Sequence, residues 1–333
     1  MKAKTLWIGF AIITLACFTV LGFFGHEIYR QKPPIPEKVI TKSGVVLFTS
    51  QQIKDGQNVW QSIGGQEVGS VWGHGAYVAP DWSADWLHKE SLLLLNKWSQ
   101  KEFGLSFNSL DAEQQAMLKV RLQKAMRTNT YDSKTDILTV SDERAEAILS
   151  NSNYYKGLFM DDPSLDKDRV SYAIPANSIK DTDRMQFMNA FFFWAAWACI
   201  TERPGSDITY TNNWPPDQVL GNTPSAGIVL WTGFSVIMLL VGIGLLAYYN
   251  ARNRSDVLDK SLLPQNDPLG GLNPTPSMKA VLKYYWVVVG LILLQILFGV
   301  LTAHYGVEGK GFYGLNLDSI LPYSISRTWH VQL

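Results

Sequence analysis

The chain has 333 residues with 29 basic and 29 acidic side chains, a balance that gives no general electrostatic case for a nucleic-acid partner. Hydrophobic residues make up 47% of it, concentrated in a few strongly apolar stretches around a polar region at 25–224. Cys17 and Cys199 are its two cysteines, too few for a disulfide scaffold, and the absence of any Cys-x-x-Cys-His excludes haem attached covalently through that motif.

Lys2 and Lys4 precede an apolar run at 6–24, about nineteen residues and long enough to cross a bilayer. A cleaved signal peptide is its rival. The run continues past Cys17 with no small-x-small cleavage site after it, which favours an uncleaved anchor. Pro33, Pro34 and Pro36 then stiffen the exit.

Trp72, Trp82, Trp86, Trp98, Trp194, Trp197 and Trp214 fall in the polar region and argue for a packed domain over a disordered linker. A short strand is predicted at 45–48 and a helix opening at Ser50, with Ser50 as its cap. Helical spacing recurs at 92–103, at 111–126 behind an Asp111/Gln114 capping box, at 141–149 and at 183–200. The apolar part of the last, 185–200, is short for a span, and with Gln186, Asn189 and the Thr201-Glu202-Arg203-Pro204-Gly205 stop it reads as a buried core helix.

Residues 225–249 carry no charge and are predicted to span the membrane. Arg252, Arg254, Lys260, Lys279 and Lys283 crowd the next connection, which the positive-inside rule makes cytoplasmic, as it does Lys2 and Lys4. A third span at 284–303 is expected to stop at His304, before a glycine-punctuated loop. Pro322-Tyr323 marks the turn into a fourth helix, incomplete at 323–333. The expected topology puts 25–224 and 304–323 on the outer face of the inner (cytoplasmic) membrane.

Three motifs carry candidate chemistry, each with a plainer alternative. His330, about one turn into the fourth helix, is either an axial haem ligand or an interfacial hydrogen-bonding residue. His304 and Glu308 share a face if the third helix runs one turn further, and together they offer acceptors for the two protons of a quinol; otherwise they are solvated loop residues. Gly73-His74-Gly75-Ala76-Tyr77 is either a loop whose carbonyls approach a hard cation or a turn packed by its aromatics. His26 and His88 read as structural or solvated.

Taken together, Gly56 to Trp60, Gly64-Gly65, the stretch from Gly69 through Trp72-Gly73-His74-Gly75-Ala76-Tyr77 to Asp81-Trp82, Asp85-Trp86-Leu87-His88, His304 to Gly314 and Pro322 to Leu333, with its Arg327-Thr328-Trp329-His330-Val331-Gln332 run, resemble the quinol-dependent nitric oxide reductases. In that family a cytochrome-c-like portion is fused ahead of a large haem-copper-type catalytic portion. The resemblance implies a mainly α membrane protein with an anchor at 1–24, an extracytoplasmic (periplasmic) cytochrome-c-like domain without haem at 25–224, and the start of a catalytic transmembrane bundle at 225–333. Where Cys-x-x-Cys-His would stand the chain reads Gln61-Ser62-Ile63-Gly64-Gly65.

The implied roles are His330 as axial ligand of the low-spin haem b, His304 and Glu308 as the quinol site, and Gly75 and Tyr77 as positions that help bind a calcium ion. The second axial ligand of the low-spin haem, the ligands of the high-spin haem and the non-haem iron, and the catalytic glutamates lie further on in the family. This chain is therefore expected to be an N-terminal portion, inactive by itself, whose partners are a membrane quinol and the C-terminal catalytic region. Quinol oxidation would feed reduction of nitric oxide to nitrous oxide, in denitrification or detoxification. Whether the assembly is a homodimer stays open. The rival from another class is a membrane-anchored extracytoplasmic ligand sensor.

Overall fold

The computed structural model describes residues 3–73, 79–253, 270–271, 273–308, 311–312, 315–317 and 320–333. The chain is mainly helical and divides into two compact units, Met1–Gly56 with Gln66–Pro224 and Gln57–Gly65 with Ser225–Leu333. Three helices are long and apolar enough to cross a membrane, at Trp7–Gln31, Ala226–Arg252 and Pro276–Ala303, and they make this a membrane protein.

The first of these belongs to α1 (Ala3–Gln31). It outlasts the apolar run at 6–24 because Glu27 accepts from Arg30 and Gln31 one turn on, which supports the last turns until the prolines intervene. In chain order there follow β1 (Lys38–Thr41), β2 (Val46–Thr49), α2 (Ser50–Ser62), α3 (Trp82–Phe103), α4 (Ala112–Arg127), β3 (Tyr131–Asp132), β4 (Ile137–Val140), α5 (Asp142–Phe159), α6 (Asp166–Ser171) and α7 (Thr182–Ile200). The strands form one small sheet in the order β2-β1-β4-β3, with β1 parallel to β4 and the other pairs antiparallel.

The cap of α2 lies one residue earlier than expected. Thr49 Oγ1 accepts from the Gln52 amide at 3.3 Å while Gln52 Oε1 accepts from the Thr49 amide at 2.9 Å. That reciprocal pair is a capping box, and it places Ser50 inside the helix. The Asp111 and Ser141 side chains accept from the amides three residues on and start α4 and α5.

Two helices run well beyond the predicted bounds. α3 begins ten residues before residue 92, where the Asp81 carboxylate accepts from the Ala84 amide at 3.0 Å. α5 continues past 149 to Phe159.

The core of this unit is aromatic and centred on α7. Every residue from 188 to 200 is buried, as expected of a helix that is apolar all round and packed inside a domain. Trp82 stacks on Phe192 at 5.6 Å and Trp86 stacks on Tyr155 at 5.3 Å. Burial pushes the Cys199 thiol up to about 12 and the Tyr155 hydroxyl well above its ordinary range.

A buried ion pair joins α3 to α5 inside this core. Glu90 is fully buried and accepts from Trp86 Nε1 at 3.0 Å and from Arg144 Nε at 2.6 Å. α2 crosses α7 at Gly56, where a Cβ would lie 1.9 Å from the Phe187 carbonyl oxygen. No side chain larger than hydrogen fits that crossing.

The second unit contains α8 (Ala226–Asn253), α9 (Pro276–Glu308), the short pair β5 (Gly311–Phe312) and β6 (Leu315–Asn316), and α10 (Tyr323–Gln332). α9 begins with Pro276 at its first position and with Thr275 Oγ1 accepting from the Met278 amide. It does not stop at His304. The helix carries on through Gly306 to Glu308, because a single glycine costs a helix interior only about 1 kcal/mol and does not end it.

Candidate functional site

α10 is held against α9 by side chains that alternate polar and aromatic contacts. Ser326 is fully buried, 3.0 Å from Thr302 Oγ1 and 3.3 Å from the Phe298 carbonyl. One turn on, Trp329 stacks on Phe298 with ring centroids 6.2 Å apart. These contacts fix the rotation of α10, and with it the direction of the next residue, His330.

His330 sits about two turns into α10, deeper than the single turn expected. Its Nδ1 lies 2.9 Å from the carbonyl oxygen of Gln295, and the Gln295 side-chain amide donates back to the His330 carbonyl at 3.3 Å. A carbonyl oxygen can only accept, so Nδ1 carries the proton. The Nε2 lone pair is thereby left free for a metal, the arrangement that orients ligating histidines.

Gly299 lies beneath the ring. A Cβ at that position would approach His330 Cε1 to 2.8 Å and Nδ1 to 2.9 Å, closer than real Cβ atoms come. The imidazole therefore occupies space that only a glycine leaves open.

Among the described residues no three His, Cys, Asp or Glu side chains converge on a common metal position. A lone, oriented imidazole could still serve as one protein ligand to a haem iron, because the macrocycle brings the in-plane ligands itself. The residues present fit an axial-ligand role.

His304 and Glu308 fall one turn apart on the last stretch of α9, the spacing that puts two residues on one helical face. Their side chains lie outside the described part of the structure, as do Gly75 and Tyr77 and the rest of residues 74–78. His26 and His88 are exposed.

Gln295 and Gly299 were not singled out from sequence. The usable signal was a lone amide inside the apolar run at 284–303 with a glycine four residues after it, a pair on one helical face.

Fold and site thus define a mainly helical membrane protein with a helical domain at 36–216 and an oriented histidine where two helices of its second unit meet. Residues 36–216 match the family of the NorB cytochrome c-like domain, from nitric oxide reductase. The match covers more than half of the chain, and the chain belongs to that family. No curated protein matches it.

Proposed function

We propose that this chain supplies the donor-facing part of a quinol-dependent nitric oxide reductase, in which electrons from a membrane quinol reach a haem b and then a high-spin haem and non-haem iron held by a C-terminal catalytic region. The observation that carries this reading is the His330 imidazole, fixed through Nδ1 to the Gln295 carbonyl with Nε2 free, in a chain of the NorB nitric oxide reductase family. Haem b bound there would supply one-electron transfer between donor and catalytic centre. The protein's part is to hold Nε2 in line, to keep the ring in place over Gly299, and to accept the protons that the donor releases.

The domain's sequence supports a lipid-soluble donor. At the position of a haem-attachment motif it reads Gln61-Ser62-Ile63-Gly64-Gly65, which cannot hold haem covalently. A domain without that cofactor has no means of relaying electrons from a soluble cytochrome. Quinol oxidation releases two protons along with its two electrons, and a base and a carboxylate one helical turn apart, His304 and Glu308, are suited to take them.

The basic connection after α8 supports an orientation with His304, Glu308 and the 36–216 domain on the outer face of the inner membrane. Gly75 and Tyr77 are proposed, on the resemblance alone, to help bind a calcium ion. Glu308→Ala is expected to impair turnover with a quinol and to leave turnover with an artificial electron donor intact, measured as nitric oxide consumption in the complete enzyme. Equal loss with both donors would remove the proton-acceptor assignment.

A further inference from the structure

The cytochrome c-like domain contains a cavity of about 380 Å³ between α3, α4, β4 and the start of α5, within the size range of small-molecule sites. Its floor is buried and apolar, made by Leu94, Trp98, Met126 and Val140. Four cationic residues line it, Lys42, Arg121, Lys124 and Arg144, and no acidic residue does.

The charges are unequally compensated. Arg121 is paired with Glu102 and, at 3.7 Å, with Glu143. Glu143 itself is held ionised below the usual carboxylate range, first by the Trp98 indole and then by Lys101. Asp142 is hydrogen-bonded to Ser43, next to Lys42 in sequence. Lys42 and Lys124 make no ion pair among the described residues.

Arg144 is the decisive residue, because an arginine that is 6% exposed is not a solvated surface charge. Its Nε is spent on Glu90, while its Nη2 is buried and has no partner. A buried donor left unmade costs about 1 to 3 kcal/mol, and a guanidinium has further N–H groups with which to hold an anion.

We propose that this cavity binds a small organic carboxylate, with its apolar body against Leu94, Trp98 and Met126 and its acid head among Arg144, Lys42 and Lys124. The site uses neither the haem nor the quinol residues. It gives the cytochrome c-like domain a ligand-binding role of its own.

The test is a ¹⁹F NMR titration of the full chain in a non-ionic detergent with 4-fluorobenzoate, against 4-fluorobenzyl alcohol and 4-fluorobenzylamine as neutral and cationic bodies of the same shape, with empty micelles subtracted. Saturable binding of the benzoate is expected, at least roughly tenfold tighter than either control, since a hydrogen bond to a charged group is worth that much. The double variant Lys42→Gln, Lys124→Gln changes two exposed side chains. It should retain the wild-type circular dichroism and lose roughly tenfold in benzoate affinity.

Lys134→Gln removes an exposed lysine outside the cavity and should bind as the wild type does. Failure of the benzoate to saturate, equal binding of the alcohol, or unchanged affinity in the double variant would overturn the proposal.

Discussion

At the scale of single residues, the histidine in α10 is defined by what surrounds it more than by its own chemistry. Gln295 contributes a backbone carbonyl that selects the tautomer, and Gly299 contributes the absence of a side chain. Gly299→Ala would put a methyl group within 3 Å of the ring, so the imidazole must tilt and any bond made by Nε2 must tilt with it. The expected outcome in the haem-loaded enzyme is a shifted or weakened low-spin haem absorption band, with Gly290→Ala as control because its added Cβ would meet nothing within 4 Å. Matching spectra for the two variants would mean that the ring is not held against Gly299. Neither Gln295 nor Gly299 could be paired with His330 from sequence, because the pairing depends on the rotation of α10 that Ser326 and Trp329 set.

At the scale of elements, the crossing of α2 over α7 leaves no room for added volume. Gly56→Ala directs its methyl into a backbone carbonyl that cannot rotate away, so the helices must separate. Overpacking of this kind typically costs about 1 to 3 kcal/mol, and backbone against backbone belongs at the upper end. Thermal unfolding followed by tryptophan fluorescence should show a midpoint lowered by several degrees, and an unchanged midpoint would contradict the crossing. The spans were legible in the sequence because length and lack of charge alone define them, and α7 was legible because its run is too short to span and carries Gln186 and Asn189. The first half of α3 was not. Its buried residues include Trp82, Ser83, Trp86, Leu87, Glu90 and Ser91, polar and apolar on one inward face, because Arg144 and the Trp86 indole satisfy Glu90 while Ser83 donates to the Asp81 carboxylate and Ser91 to the Leu87 carbonyl. The end of α9 was misjudged for a different reason: glycines at 306 and 309 suggest a loop, whereas the helix persists to Glu308.

At the scale of the whole molecule, the family match assigns the domain at 36–216, and three apolar helices assign the chain to a membrane. What joins these two facts into an electron-transfer protein is the proposed bond between His330 and haem b. Where the Cys-x-x-Cys-His of a haem-bearing domain would stand, the sequence offers no attachment of that kind, and under the proposed function the electrons would enter at the haem b held by the imidazole in α10. The most direct measurement is the reduced-minus-oxidised absorption spectrum of the complete enzyme purified from haem-replete cells, recorded for the wild type and for His330→Ala at matched protein concentration. The low-spin haem b band is expected in the wild type and lost in the variant, and a variant spectrum identical to the wild type would contradict the bond.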